Sequence, residues 1–297
     1  MTQQQIVLTG AKGQLGLTFQ ELWEDAPLRD EYELCCADIK EMDISSTDAI
    51  QEFLANRPAA LIINGAAYTA VDRAEEEREQ AFKVNQQGAV NLALWAREHQ
   101  CRFIQISTDF VFSGSKGSPY KTHDETKPIS VYGQSKVAGE QAILSSYPEN
   151  SIIVRTSWLY SPFQSNFVKT MLKLMAEREE LNVVNDQVGS PTSTYSLVRL
   201  LFKIVESDEK CGIFHWSDKG GISWYDFALE IQQQGMEAAI LETAIPINSI
   251  PTVQYPTPAS RPAYSVLDTL ETQLKFSIEP EPWRESLRKV VQTIANH

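Results

Sequence analysis

The chain has 297 residues, 42% of them hydrophobic, and a formal net charge of −13 at pH 7. At roughly 100–200 residues per domain this length fits one large domain or one domain plus a smaller one, and the acidic balance argues against nucleic-acid and membrane-surface roles. Four cysteines without metal-binding spacing, and a start without the basic region of a signal peptide, predict a cytoplasmic protein with reduced thiols and no metal.

The first half of the sequence alternates short apolar runs with longer amphipathic stretches. Strands that alternate with helices imply right-handed crossovers and a parallel sheet. Continuous apolar strands imply a sheet that is covered on both faces. We therefore predict an α/β fold with a Rossmann-type doubly wound parallel sheet. The predicted strands are 5–9, 32–37, 60–64, 102–107 and 151–155, and the predicted helices are 15–22, 48–56, 74–99 and 131–145.

The pattern loosens after about residue 158, where prolines and glycines become frequent. We predict a dinucleotide-binding domain over residues 1–160, with a return segment near 190–217. Residues 161–297 are expected to form a smaller, loop-rich substrate-binding part that is interleaved with the first domain.

Three glycines follow the first strand and open the first helix. Gly10 permits a tight turn, Gly13 lets a pyrophosphate approach the backbone, and Gly16 allows the helix to pack closely on the sheet. The first helical residues, Gln14 and Leu15, belong to the same predicted cofactor site because the helix N-terminus supplies amide donors. The spacing is GxxGxxG, not GxGxxG, so the position between strand and helix is what favours a dinucleotide site over an ordinary loop.

Asp38 ends the second predicted strand, about 20 residues after the glycines, where a carboxylate can bind the adenosine ribose hydroxyls. This position favours NADH. Lys40, two residues on, could instead meet the ribose phosphate of NADPH, so the choice between the two cofactors stays open. Asp43 and Ile44 are predicted to flank the adenine.

Tyr132 and Lys136 lie four residues apart and therefore on one face of a predicted helix. A phenol with a pKa near 10 is a poor acid or base at neutral pH. A nearby ammonium would bring that pKa toward the working range, and the same lysine can hold the nicotinamide ribose. The pair predicts a proton-transfer centre.

Other candidate residues follow strands that end at the same edge of the predicted sheet, where ligands bind in open α/β folds. Thr108 comes directly after strand 102–107, so its hydroxyl can bond a reacting carbonyl beside Tyr132. Small residues after strand 60–64 let a cofactor lie against the backbone. The cofactor is expected to contact Ala66, Ala67, Tyr68, Thr69 and Ile106.

Several segments, in this order, resemble the extended short-chain dehydrogenase/reductase superfamily and, within it, the dTDP-4-dehydrorhamnose reductases. GxxGxxG and YxxxK are generic to the superfamily, whereas TDFVF, TSWLY and DQVGSPT are much more specific. The matching segments are TGAKGQLG (9–16), NGAAYTAVDRAE (64–75), STDFVFSG (107–114), YGQSKVAGE (132–140), VRTSWLY (154–160), NFVKTM (166–171), DQVGSPT (186–192), GIFHWS (212–217) and RPAYSVLD (261–268).

The resemblance implies that a nucleotide sugar, dTDP-4-dehydro-β-L-rhamnose, is reduced at its C4 ketone to dTDP-β-L-rhamnose by NADPH or NADH, for polysaccharide biosynthesis. It also implies roles for individual residues. Tyr132 would donate the proton, Lys136 would tune it, and Thr108 would bond the substrate oxygen. The further substrate contacts implied are Asp109 beside Thr108, Thr69 and Val71 in the pocket wall, Trp158 against the sugar and Arg261 on the diphosphate.

The departures from the family pattern are small. Phe110 stands where the family often has tyrosine, and Gly65 replaces a common alanine. The glutamates through which some members hold a dimer-bridging metal cannot be matched here. We therefore expect no metal and leave monomer and homodimer open.

Three alternatives are weighed against reduction. Sugar-nucleotide dehydratases carry an Asp-Glu pair after the threonine, but Asp109 is followed by Phe110, so the base for elimination is missing. A C4 epimerase, which must hold the sugar in two orientations, stays open. A non-catalytic regulatory homologue would be supported by loss of Tyr132, Lys136 or Thr108, and all three are present.

Overall fold

A computed structural model describes residues 4–57 and 59–296 of the chain. Residues 1–3, which belong to the predicted first domain, lie outside the described residues, as do Pro58 and His297. The strands are β1 (Gln4–Thr9), β2 (Tyr32–Ala37), β3 (Ala59–Asn64), β4 (Arg102–Thr108), β5 (Ser151–Thr156), β6 (Leu159–Tyr160), β7 (Leu181–Val184), β8 (Val188–Gly189), β9 (Thr192–Ser193), β10 (Gly212–Trp216), β11 (Ile222–Ser223) and β12 (Ile247–Ile250). The α-helices are α1 (Gln14–Trp23), α2 (Thr47–Leu54), α3 (Arg78–Phe82), α4 (Ala89–Glu98), α5 (Val131–Ser146), α6 (Phe167–Glu177), α7 (Thr194–Glu206), α8 (Trp224–Glu237), α9 (Leu270–Phe276) and α10 (Trp283–Ala295).

Six strands form one parallel sheet in the order β10-β5-β4-β3-β1-β2. The chain starts in β1, winds outward to β2, and returns through β3 to continue in the opposite direction. This reversal at β1 and β3 makes a crevice beyond the carboxyl ends of the strands, which is where such sheets bind ligands. The predicted Rossmann-type doubly wound sheet is confirmed.

Both faces of the sheet are covered by helices, as its continuous apolar strands require. On one face, Phe19 of α1 and Leu201 of α7 pack in a buried cluster with strand residues such as Ile63. On the other face, Leu92 of α4 and Ile143 of α5 pack with a second set of strand residues. The two clusters hold the sheet rigidly, so the residues at its carboxyl edge have a fixed frame.

The second half of the chain is more helical than the loop-rich part that proline and glycine content predicts. It contains helices α6 to α10 among its described residues. A third buried cluster joins α6, α8 and α10 through residues such as Leu172, Ile231 and Leu287. The prolines mislead because many of them lie in the connections, notably in the stretch 246–262 between α8 and α9. The division into two domains stays a prediction.

The predicted long helix over residues 74–99 is interrupted. A 3₁₀ turn at Arg73–Glu75 precedes α3, and a π-helical segment at Lys83–Gly88 joins α3 to α4. Such π segments often occur at functional sites. No helix within the described ranges combines the length and apolar character needed to cross a bilayer.

Candidate active site

A cavity of about 1020 Å³ lies at the carboxyl ends of β1, β3, β4 and β5. It brings together residues that the sequence places more than a hundred positions apart. All but one of the predicted site residues line it. They are Gly10, Gly13, Gln14, Leu15, Asp38, Asp43, Ile44, Ala66, Ala67, Tyr68, Thr69, Val71, Ile106, Thr108, Asp109, Tyr132, Lys136, Trp158 and Arg261.

The exception is Gly16, which does not line the cavity and packs helix α1 against the glycine turn. A Cβ placed on Gly16 would lie 2.4 Å from the Gly10 carbonyl oxygen, so only glycine fits. Gly16 thus has the packing role that was predicted for it. It does not line the cavity in which its contact with the cofactor was predicted.

The glycine turn leaves room for a phosphate group against bare backbone. Gly10 has a φ of +66°, a left-handed conformation that favours glycine, and a Cβ there would lie 2.7 Å from the carbonyl carbon of Gly65. Helix α1 begins directly after Gly13, so its free amides face the same space. The turn therefore fits a dinucleotide pyrophosphate.

Asp38 lies at the carboxyl end of β2 with both carboxylate oxygens already accepting hydrogen bonds. Oδ2 accepts from the Lys12 amide at 2.8 Å and Oδ1 from the Ile39 amide at 2.8 Å. The Lys12 ammonium pairs with Glu41 at 2.9 Å. Asp38 and Lys12 both line this end of the cavity, whereas Lys40 does not, and the two offer partners for either a ribose hydroxyl or a ribose phosphate.

Replacing Asp38 by alanine is expected to shift cofactor preference toward NADPH by about tenfold, equivalent to about 1.4 kcal/mol. The reason is that the carboxylate can accept from ribose hydroxyls and repels a ribose phosphate. The measurement is the ratio of kcat/KM for NADPH and NADH. Glu33→Ala, an acid near the opposite end of the same strand, is the control. An unchanged ratio in Asp38→Ala would contradict the assignment.

Tyr132 is close to the N-terminus of α5, which Ser130 caps by accepting a hydrogen bond from the Gly133 amide at 3.2 Å. Tyr132 forms a side-chain hydrogen bond with Thr108 at the end of β4. The Thr108 hydroxyl also donates to Asp109 Oδ1 at 3.1 Å. The structure thus has Thr108 beside Tyr132, as expected from the sequence, and the bond from Thr108 to a reacting carbonyl stays a prediction.

Burial raises the pKa of Tyr132 to about 12, with the Asp109 charge adding to the rise and the Thr108 hydrogen bond opposing it. The expectation that the lysine lowers the pKa of the phenol toward neutrality is wrong for this structure. Lys136 is itself buried, and its ammonium donates to the Ile106 carbonyl oxygen at 2.8 Å. Tyr132 therefore stays protonated at neutral pH, which suits a proton donor and not a base.

Asp109, beside Thr108, is a fully buried acid. Burial raises its pKa to about 6, although hydrogen bonds from Ser265 and Thr108 oppose the rise. Its charge adds to the rise in the pKa of Tyr132. The structure therefore adds this electrostatic effect to the substrate contact that the resemblance implies for Asp109, and that contact stays a prediction.

Lys136 belongs to a buried charged network beneath the cavity. Burial lowers its pKa to about 8, and the Glu140 carboxylate one helical turn further opposes the fall. Glu140 is held by two hydrogen bonds from Arg155 of β5, at 2.9 Å and 2.6 Å, and by one from Ser107 of β4. Since removal of one partner leaves a buried charge uncompensated, this network fixes α5 against the two strands.

Arg261 lines the cavity but already has a partner within the chain. Its guanidinium donates to both oxygens of Asp72, at 3.1 Å and 2.7 Å, and also to Thr257. The Arg261 ion pair lowers the pKa of Asp72. For Arg261 to bind a diphosphate, the ligand has to share or replace this pair.

Several cavity residues are absent from the sequence-based set, and some of them come from the second half of the chain. They include Gln164, Ser165, Phe167 and Trp224. Gln164 donates to the Lys12 carbonyl oxygen at 2.8 Å and so ties this half to the glycine turn. Phe167 lies in the matching segment NFVKTM (166–171), whereas no motif marks Gln164, Ser165 or Trp224, which only the tertiary fold brings to the cavity.

Comparison with known proteins places the chain among well-characterised relatives. The profile of a family described as the RmlD substrate binding domain matches residues 4–296. A dTDP-4-dehydrorhamnose reductase of Aggregatibacter actinomycetemcomitans is 40% identical over 96% of this chain and 97% of its own. The spore coat polysaccharide biosynthesis protein SpsK of Bacillus subtilis is 38% identical over 97% of this chain and 96% of its own.

A solved structure gives the same result at the level of the fold. The crystal structure of dTDP-4-dehydrorhamnose reductase from Bacillus anthracis in complex with NADP superimposes with a TM-score of 0.89 at 35% identity. The match covers 97% of this chain and 99% of that chain.

Proposed function

The chain belongs to the family described as the RmlD substrate binding domain, and from that membership we propose that it is an NAD(P)H-dependent dTDP-4-dehydrorhamnose reductase. Its reaction is reduction of the C4 ketone of dTDP-4-dehydro-β-L-rhamnose to the alcohol of dTDP-β-L-rhamnose. The product serves polysaccharide biosynthesis.

One observation carries the direction of the chemistry: the Tyr132 phenol lines the cavity beside Thr108 and Lys136, and its surroundings favour the protonated form. Burial raises the pKa of Tyr132 to about 12, so the phenol carries a proton that it can give to a reacting oxygen. Ketone reduction needs a proton donor, whereas elimination needs a base, and Phe110 occupies the position of that base. The cavity volume of about 1020 Å³ is at the upper end of the range of about 300–1,000 Å³ that is typical of small-molecule and cofactor sites.

Each site residue has its own role in the proposed reaction. When bound, the reduced nicotinamide supplies the hydride. The Tyr132 hydroxyl donates its proton to the oxygen that gains negative charge, because an alkoxide is a stronger base than a phenolate. Thr108 holds the same oxygen by hydrogen bonding, and the Lys136 ammonium stabilises the phenolate that is left. The glycine turn, Asp38 and the backbone at 65–69 bind the cofactor.

Arg261 is proposed to bind the substrate diphosphate through its planar fork of donors. Arg261→Met is expected to raise KM for the nucleotide sugar by about 10–100-fold with little change in kcat, because a hydrogen bond to a charged group contributes about 1.5–3 kcal/mol. Steady-state kinetics measure this split. Arg178→Met, at an exposed arginine outside the cavity lining, is the control. An unaltered KM in Arg261→Met would refute the diphosphate contact.

The proposed function is tested by mixing the protein with NADPH and dTDP-4-dehydro-L-rhamnose and following the loss of absorbance of the reduced cofactor. We expect stoichiometric oxidation of NADPH, with a UDP-linked ketosugar as the control for the nucleotide. An epimerase would interconvert sugars without net consumption of cofactor, so a steady absorbance with a changed sugar would favour that alternative.

A further inference from the structure

The Asp72 carboxylate accepts hydrogen bonds from three nitrogen donors of the segment that carries Arg261. Two come from the terminal nitrogens of the Arg261 guanidinium, at 3.1 Å and 2.7 Å, and one comes from the Ala259 backbone amide, at 3.2 Å. A planar guanidinium fork and a backbone amide are also donors that bind phosphate oxygens in proteins. The carboxylate therefore occupies a set of donors that suits the phosphate of a ligand.

The turn that provides these donors is held by contacts of its own. Ala259 is buried, and its carbonyl oxygen accepts from the Arg261 guanidinium at 3.1 Å. The Thr257 hydroxyl accepts from the same guanidinium at 2.6 Å. Directly after the turn, Pro262 packs against Gly114, where a Cβ would lie 2.6 Å from the Pro262 Cα. The turn thus has anchors that do not depend on the carboxylate.

The two partners of the ion pair lie differently with respect to the cavity. Arg261 lines the cavity, as does Val71, whereas Asp72 itself does not. Both side chains of the pair are partly exposed, so a ligand in solution can reach them. Because Asp72 engages both terminal nitrogens of Arg261, a diphosphate that binds the same fork has to compete with the carboxylate.

We propose that Asp72 is an internal competitor of the substrate diphosphate for Arg261 and that it sets how tightly the nucleotide sugar is held. In the free protein the carboxylate neutralises the guanidinium, and the nucleotide sugar displaces it on binding. When the product leaves, the carboxylate binds the same donors again, which shortens the lifetime of the product complex. This inference rests on the proposed function, since it assigns the displaced contact to the diphosphate of that substrate.

The test replaces Asp72 by asparagine, which keeps the shape of the side chain and removes its charge. Titration calorimetry measures the binding of dTDP in the presence of NADP⁺. We expect Asp72→Asn to bind dTDP about fivefold to tenfold more tightly, with a matching fall in KM for the ketosugar and an unchanged affinity for NADPH, because the competing carboxylate is lost. Glu76→Gln, at an exposed acid outside the cavity lining, is the control for the loss of a negative charge.

The same substitution in the Arg261→Met protein separates competition from simple repulsion between the carboxylate and the ligand. Competition needs the guanidinium, so the gain in dTDP affinity should largely disappear in the double variant. An equal gain with and without Arg261 would overturn the proposal, as would an unchanged or weakened affinity for dTDP in Asp72→Asn. A weakened affinity would mean that the carboxylate positions Arg261 for the ligand.

A crystal structure of the wild-type protein with dTDP and NADP⁺ checks the displacement without any substitution. The Asp72 carboxylate should lie beyond about 4 Å, the limit of an ion pair, from the Arg261 guanidinium. An intact pair beside bound dTDP would contradict the proposal. Failure of the proposed function would instead appear in the wild-type protein, as an absence of ketosugar turnover.

Discussion

Replacing Tyr132 by phenylalanine is expected to lower kcat by about 10²–10⁴-fold, because it removes the proton donor and little else. The phenyl ring keeps its edge-to-face contact with Phe110, whose centroid lies 5.7 Å away, so the shape of the cavity is preserved. Cofactor affinity should stay within about twofold of the wild type, which corresponds to about 0.4 kcal/mol. Single-turnover kinetics and a fluorescence titration with NADPH measure the two quantities.

Tyr147→Phe is the matched control for this variant. Tyr147 follows the C-terminal end of the same helix, and its hydroxyl accepts a hydrogen bond from Asn150 at 2.8 Å, away from the cavity lining. It should retain full activity. A Tyr132→Phe enzyme with a near-wild-type rate would remove Tyr132 from the mechanism.

Replacing Lys136 by methionine is the second change with a large expected effect. Methionine keeps the length of the buried side chain but removes the ammonium that donates to the Ile106 carbonyl oxygen. We expect kcat to fall by about 10²-fold or more and cofactor affinity to weaken, because the charge beside the phenolate and the donor toward the ribose are both lost. Stopped-flow turnover and NADPH titration measure the two effects.

Lys203→Met, at a surface lysine of α7 that pairs with Glu206, is the control for the loss of a positive charge. It should behave as the wild type. If Lys136→Met bound NADPH with unchanged affinity, the proposed contact of Lys136 with the cofactor would be wrong.

The pH dependence of turnover tests the role of Lys136 independently of the substitution. Burial lowers its pKa to about 8, so the side chain is cationic below that pH and becomes neutral as pH rises through it. Glu140 on the same helix opposes the fall in the pKa of Lys136, and Arg155 of β5 holds that carboxylate. Turnover is expected to decline above about pH 8, and a profile that stays level from pH 7 to 10 would count against a role for the ammonium.

The strands and helices of the first half of the chain could be predicted because the sequence patterns that indicate them are local. The predicted strand 102–107 and helix 131–145 agree within one residue with Arg102–Thr108 and Val131–Ser146. Strict apolar runs and a glycine turn between strand and helix arise from interactions between near neighbours in the chain. The break in helix 74–99 was not predictable, since the π segment depends on packing against α5, where a Cβ on Gly139 would meet the Asn85 carbonyl oxygen at 2.2 Å.

The candidate site also has residues that the sequence predicts and features that only the structure shows. Tyr132, Lys136 and Thr108 carry recognisable chemistry at recognisable positions, and the structure brings them to one cavity. The direction of the Tyr132 pKa shift depends on burial, which spacing along a helix does not reveal. Trp224 stacks on Trp158, and Asp72 forms an ion pair with Arg261. The partners in each pair are distant in sequence, so only the folded structure identifies these contacts.

The most direct test of the central claim is to follow the hydride itself. The protein is mixed with NADPH deuterated at the transferable position of the nicotinamide and with dTDP-4-dehydro-L-rhamnose, and the product is identified by mass spectrometry and proton NMR. The account predicts dTDP-L-rhamnose with one deuterium at C4 of the sugar. A product without deuterium, or with the label at another carbon, would contradict reduction of the C4 ketone by this protein.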